Sequence, residues 1–184
     1  MKLYVDSFPS PVAEILLAVD ERGAVKHLEF VAPSVGRTRE HHLARYERSG
    51  EVAFDAAPGA EARRQVEQYF AGDRTRFELE LAGDGTPFQR EVWRALVAIP
   101  FGATTSYGEL AARIGRPNAS RAVGRANGTN PIALVVPCHR VIGVNGSLTG
   151  YAGGVDIKRA LLDFERGQRD LITPPARRAS GASA

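Results

Sequence analysis

The pattern of this chain breaks at Ala82–Gly85, and that break limits the fold more than any other feature. Before it, short apolar–polar alternations dominate, as in strands; after it, apolar residues recur at helical spacing. Thr86 follows as an N-cap, Pro87 suits the first helical position, and Gln89 stands where a capping box needs it. Two small units are therefore expected, residues 1–82 and 86–168. A flexible tail rich in Pro, Gly, Ala and Ser is expected over 169–184.

In the first unit, Tyr4–Phe8, Glu14–Val19 and Val25–Phe30 read as strands, with turns at Pro9–Pro11 and Asp20–Gly23. Residues 32–51 are poorly periodic and carry no assignment. Ala60–Phe70 reads as a helix with Ala62, Val66, Tyr69 and Phe70 on one side and Gly72 just past its end. Phe77, Leu79 and Leu81 alternate with Glu78 and Glu80, which predicts one more strand. The unit is thus a small α/β domain in which no chemistry is evident.

The second unit opens with a helix bearing Phe88, Val92, Trp93, Leu96 and Val97, ended by Pro100. A helix–turn–helix pattern follows. Tyr107–Ile114 is its first helix and Gly115–Pro117 its turn; Asn118 caps a second helix that runs through Asn127 and closes at Gly128. Ala119, Ala122, Val123 and Ala126 form its inward stripe. Ser120, Arg121, Gly124, Arg125 and Asn127 leave a small, basic outer face suited to a nucleic-acid groove. The apolar run Ile132–Val136 reads as a buried strand leading into Pro137-Cys138-His139-Arg140-Val141. A glycine-rich loop, Gly150–Gly154, precedes a last helix capped by Asp156 and running through Arg166.

Charge supports a polyanionic partner for the second half. Residues 1–85 carry 11 Lys and Arg against 15 Asp and Glu, whereas residues 86–167 carry 10 against 5. The chain has 1 cysteine, which excludes an intrachain disulfide and a cysteine-rich zinc site. His27, His41, His42 and His139 match no zinc spacing, so no metal is expected. No apolar stretch is long enough to span a membrane, and Met1–Phe8 lacks the apolar core of a secretory signal; cytoplasm is the expected compartment.

A lone cysteine after an apolar run reads first as an inert core residue. Three features at Cys138 point elsewhere. Pro137 ends the strand, so the thiol is expected at a loop start, where side chains become accessible. His139 and Arg140 follow, and positive charge favours the thiolate. The glycine loop and Tyr151 lie where they would wall a pocket. In an extended segment Cys138 and His139 point to opposite faces, so their communication needs a bridging water or a sharp turn. A thiol hydrolase and a plain helix–turn–helix regulator remain open at this level.

The run Pro137–Val141, PCHRV, resembles the active-site motif of the O6-alkylguanine–DNA alkyltransferases. The resemblance extends from Phe88 to Glu165 through Ser106-Tyr107, Arg121-Ala122-Val123-Gly124, Asn130-Pro131 and Tyr151-Ala152-Gly153-Gly154, without a gap. It implies an α+β fold, with a ribonuclease-H-like N-terminal domain and a winged-helix-like, helix–turn–helix C-terminal domain. It implies stoichiometric, irreversible alkyl transfer to Cys138 from O6-methylguanine, and from O4-methylthymine, with no cofactor. The implied partner is double-stranded DNA, met by a monomer through the minor groove with little sequence preference.

Site roles follow from the same resemblance. Cys138 would accept the alkyl group, with Glu165, His139 and a water as the relay that frees its thiolate. Tyr107 would help turn the nucleotide out and donate toward the leaving guanine. Arg121 would fill the vacated space within a DNA face of Ser120, Ala122, Gly124 and Arg125. Asn130 would link the recognition helix to the active-site loop. The carbonyls of Cys138 and Val141 would accept from the base, and Tyr151, Ala152 and Gly153 would line its pocket. Several relatives carry Ser where Ala152 stands, and others carry proline at the position of Ala133. The cysteine-rich zinc module of the bifunctional relatives has no counterpart in this sequence.

Overall fold

The computed structural model describes residues 1–167; the tail expected over 169–184, and residue 168, lie outside the described residues. It is a mixed α+β structure. Strands β1 (Lys2–Pro9), β2 (Glu14–Val19), β3 (Val25–Phe30) and β4 (Glu51–Phe54) form a sheet ordered β3-β2-β1-β4. The first three strands are antiparallel neighbours, and β4 joins β1 in parallel. A parallel partner needs a crossover. Helix α1 (Arg39–Glu47) supplies it, in the segment where periodicity gave no assignment. The apolar signal of α1 is weak because only His42 and Tyr46 are buried on it; its start is set by Thr38, whose side chain accepts from His41 N at 3.2 Å.

Side chains alternate across the sheet and feed two cores. Leu3, Val5, Leu16 and Ala18 pack with Tyr46 under α1. Phe8, Ile15, Leu17 and Val19 face the other way, toward helix α2 (Ala60–Ala71) and the C-terminal half. Covered on both faces, β2 is apolar and buried at nearly every position.

The strand expected at Phe77–Leu81 does not form. The segment is extended, but its ladder reduces to a bridge between Val25 and Leu81. The Gln65 side chain takes the place of a strand neighbour, donating to Glu78 O at 3.0 Å and accepting from Glu78 N at 2.8 Å.

The C-terminal half packs helices α3 (Pro87–Val97), α4 (Tyr107–Arg113), α5 (Ser120–Gly128) and α6 (Val155–Glu165) around a two-stranded parallel pair, β5 (Thr105–Ser106) and β6 (Val141–Ile142). The capping box at Thr86 and Gln89 forms as the sequence predicts, and Ser106 with Glu109 makes a second at α4. Two caps differ from expectation. Helix α5 starts after Ala119 with no side-chain cap, so Asn118 does not serve; α6 starts after Gly154, leaving Asp156 inside its first turn. There its carboxylate still favours the helix dipole.

The inward stripe of α5 is also rotated from the one predicted. Val123, Ala126 and Asn127 are buried, while Ala122 is exposed beside Arg121 and Arg125. Trp93 fixes this rotation by donating from Nε1 to Ala126 O at 2.9 Å.

The run Ile132–Val136 is not a strand. One bridge, Leu28 to Ile132, docks it on the open edge of β3, and the chain then turns through Leu134 at φ 69. A left-handed leucine costs about 1 kcal/mol or more. The turn is held by Ala133 N donating to Leu28 O (2.7 Å) and Val136 N to Ile132 O (3.0 Å), and Leu134 is fully buried. It doubles the chain back, bringing Cys138 against Asn130. No helix among the described residues is long and apolar enough to cross a membrane.

Candidate active site

Cys138, His139 and Arg140 form a single 3-10 turn rather than an extended segment. The turn removes the objection that Cys138 and His139 must face apart. It also buries all three residues, so Cys138 is not at an accessible loop start; it is 5% exposed. Its Sγ accepts from Asn130 Nδ2 at 3.1 Å, and Asn127 Nδ2 lies 3.4 Å from Cys138 O. Asn130 is the brace of the whole turn: the same amide donates to Val136 O at 2.8 Å, and its Oδ1 accepts from Ile132 N at 3.0 Å.

His139 and Arg140 do not act on the thiol as neighbouring cations. Arg140 is turned away and donates from Nε and Nη2 to Glu165, at 2.9 and 2.8 Å, and from Nη1 to Ile99 O at 2.6 Å. Burial holds His139 below the usual imidazole value, against the pull of Glu165. Burial also pushes the Cys138 thiol up, opposed by the Asn130 hydrogen bond and the charge of Lys158. The resting pair is therefore a neutral thiol and a neutral imidazole.

Glu165, the last residue of α6, collects donors. Its Oε1 accepts from His139 Nε2 (2.9 Å), Tyr69 OH (2.8 Å) and Arg140, and its Oε2 from Gly102 N (3.0 Å) and Arg140. Burial pushes the carboxyl up, but His139 and Arg140, by hydrogen bond and charge, hold it well below the ordinary range. They also account for an acid at a helix C-terminus, where the dipole disfavours it. A carboxylate only accepts, so Nε2 of His139 carries the proton and Nδ1 is the basic nitrogen; Nδ1 is buried without a protein partner.

Sequence reasoning did not single out Lys158. It is fully buried, and its ammonium donates to Val141 O at 2.6 Å and Thr149 O at 3.0 Å. The signal was present: Lys158, Leu162 and Glu165 form a second buried stripe on α6. Tyr107 OH also donates to Thr149 O, at 3.2 Å, so Lys158 and Tyr107 both tie down the strand-to-loop passage. Gly124 of α5 lies beneath the Tyr107 ring, where an added Cβ would come 3.6 Å from it. Gly124 is accordingly half-buried, while Arg121, Ala122 and Arg125 stand exposed beside it and Ser120 is partly exposed.

Cys138 opens on a narrow pocket with Asn130, Ala133, Tyr151, Ala152 and Gly153. Its opposite wall comes from the N-terminal half, with Phe30, Glu29 and His42 among the lining groups, none of which sequence reasoning placed here. The cavity volume is about 20 Å³, room for roughly one water. Tyr151 closes it, its hydroxyl buried and unpartnered. Val141 is buried beneath, its carbonyl engaged by Lys158. A larger groove of about 620 Å³ runs past Leu79, Val97, Phe101 and Pro137, and Cys138 does not line it.

This is a thiol-centred site with a histidine–carboxylate pair behind it and a basic helix beside it. Residues 87–167 match the family model of the 6-O-methylguanine DNA methyltransferase DNA binding domain. The chain is 49% identical over 163 residues to a methylated-DNA–protein-cysteine methyltransferase of Methanosarcina acetivorans, covering 89% of this chain and 98% of that one. Its structure is similar to the O6-methylguanine methyltransferase of Mycobacterium tuberculosis, with a TM-score of 0.77, 41% identity, and coverage of 95% and 96% of the two chains. It is likewise similar to that organism's OGT in complex with DNA, with a TM-score of 0.78 and 40% identity over 94% and 99%. The chain belongs to the methylated-DNA–protein-cysteine methyltransferases, DNA repair enzymes of class EC 2.1.1.63.

Proposed function

We propose that Cys138 is the alkyl acceptor and that the chain repairs O6-methylguanine, and O4-methylthymine, after flipping the base out of duplex DNA. The observation that carries this reading is the buried Glu165–His139 pair behind the chain's 1 cysteine, at the mouth of a pocket walled by Tyr151 and Gly153. Transfer needs a thiolate and a protonated leaving group. His139 Nδ1 takes the thiol proton through a water, and Glu165 steadies the imidazolium. Sγ then attacks the methyl carbon, the C–O6 bond breaks with its electron pair on guanine, and Tyr107 OH donates toward that anion. Burial pushes the Tyr107 hydroxyl up, which keeps it protonated for this role. The thioether is inert, so each molecule acts once.

The pocket is too small for a base as it stands. Admission requires the loop over 150–154 to swing away, and Gly150 (φ 58) and Gly154 (φ 90) bound it with backbone freedom. Flipping costs roughly a few kcal/mol, offset in part by Arg121 entering the stack. Arg121, Arg125, Ser120 and Ala122 meet the minor groove, with little sequence preference because the outer face of α5 is short and basic. The protein works as a monomer in the cytoplasm. Residues 1–82 form a ribonuclease-H-like domain, and 86–168 a winged-helix-like domain holding the site.

Intact and peptide mass spectrometry after incubation with a duplex carrying one O6-methylguanine tests the reaction. One added methyl on the Cys138 peptide, in one-to-one stoichiometry, is expected; unmodified protein bound tightly to the lesion would point to a damage sensor instead. A salt titration tests the DNA face. Affinity for duplex should fall steeply with salt, and Arg125→Ala should reduce the slope of log K against log salt by about 1. An unchanged slope would remove Arg125 from the phosphate-binding set.

A further inference from the structure

We propose that Tyr69, from helix α2 of the N-terminal half, is a positioning residue for alkyl transfer: its hydroxyl fixes Glu165 Oε1 and, through it, the tautomer and orientation of His139. This rests on the relay read above.

Tyr69 is fully buried in an aromatic cluster, with Phe77 stacked at 5.7 Å and Phe101 and Phe164 at 5.8 and 5.2 Å. Phenylalanine would fill that space equally well, so packing does not explain the hydroxyl. Its hydrogen bond, at 2.8 Å, reaches across 96 residues of sequence to the same carboxylate oxygen that accepts from His139. Burial and the Glu165 charge push the Tyr69 hydroxyl up, so it stays a donor.

The electrostatic consequence has a definite sign. Oε1 divides its charge among Tyr69, His139 and Arg140. Without the Tyr69 donor, more of that charge falls on His139 and its imidazolium is held more tightly. His139 then stays protonated to higher pH, and over that added acid range it cannot take the thiol proton. The other charged and titratable groups around the relay are Arg140 on the turn, Lys158 on α6, Cys138 itself and Tyr151 on the loop. They are unchanged by the substitution.

The test is the single-turnover transfer rate at saturating O6-methylguanine duplex as a function of pH, for wild type, Tyr69→Phe, Phe77→Leu and Glu165→Gln. On the acid limb Tyr69→Phe should be about three- to tenfold slower, with the limb moved up by about half to one pH unit and the deficit gone at neutral and alkaline pH, where His139 is the free base in both proteins. Alkylation of Cys138 by iodoacetamide without DNA should show the same displacement. Phe77→Leu, which loosens the cluster but keeps the hydroxyl, should lower Tm and leave the acid limb in place. A Tyr69→Phe profile matching wild type overturns the proposal. So does an equal loss in Tyr69→Phe and Phe77→Leu with no movement of the limb, which would make Tyr69 a packing residue. If Glu165→Gln retains the full wild-type rate, the relay itself fails and the role of Tyr69 with it. If Glu165→Gln is slow while Tyr69→Phe is normal, only the Tyr69 assignment falls.

Discussion

Cys138→Ala is expected to abolish transfer completely while leaving lesion-containing duplex bound within about twofold of wild type. The loss is total because the sequence contains 1 cysteine and a thioether requires a sulfur. Binding survives because the exposed cations of α5 are independent of the thiol, whose side-chain hydrogen bond is to Asn130. Losing that sulfur leaves a small cavity worth about 1 kcal/mol, too little to unfold the chain. Mass spectrometry reads the methyl count, and fluorescence anisotropy with a labelled duplex reads the affinity. A methyl appearing elsewhere on the variant, or loss of duplex binding together with the thiol, would overturn the assignment of Cys138 as acceptor.

Glu165→Gln is expected to damage both rate and stability. Its amide keeps the shape but not the charge, so the imidazolium loses its counterion and the transfer rate should fall by about a hundredfold or more. Arg140, 5% exposed, is left as a buried cation without its carboxylate. Breaking such a pair costs about 3–5 kcal/mol, and Tm should drop by roughly 10 °C for a chain of this size. The pH dependence gives a second check. The folded-state value of Glu165 is depressed, so its stabilisation is fully present above the ordinary value of 4.5 and is lost as pH falls through the folded value. Stability of the wild type should therefore decline below about pH 4.5, and part of that decline should be absent in Glu165→Gln. Thermal melts from pH 3 to pH 7 measure it; parallel curves would show that Glu165 contributes no linked protonation.

The sequence was most readable where a local rule acts alone. The capping box at Thr86 and Gln89 lies within a single turn, and β2 and β3 keep the bounds that their alternation predicts. Legibility failed where a long-range partner replaced a local one. Gln65 took the place of a strand beside Glu78, and the edge of β3 caught Ile132 at one residue only. Helix α1 escaped because it buries one histidine and one tyrosine in place of an apolar stripe.

What the sequence determined by itself is the inventory of the site: one thiol, the histidine and arginine beside it, the asparagine before the proline, the tyrosine and glycine loop, the acid at the end of the last helix, and the basic helix. The resemblance carried by the PCHRV run and its companions implies the chemistry proposed for these groups. What only the tertiary structure decided is their protonation and partnership. The left-handed turn at Leu134 and the 3-10 turn at Cys138 convert neighbours that an extended chain would splay into a thiol on one pocket and a histidine–carboxylate pair behind it. Burial then reverses the electrostatic reading. The adjacent Arg140 is spent on Glu165, the ammonium that acts on the thiol is Lys158, and a tyrosine from the other half of the chain completes the carboxylate's shell. Charge in a low-dielectric interior is governed by which groups face each other, and sequence adjacency does not specify that.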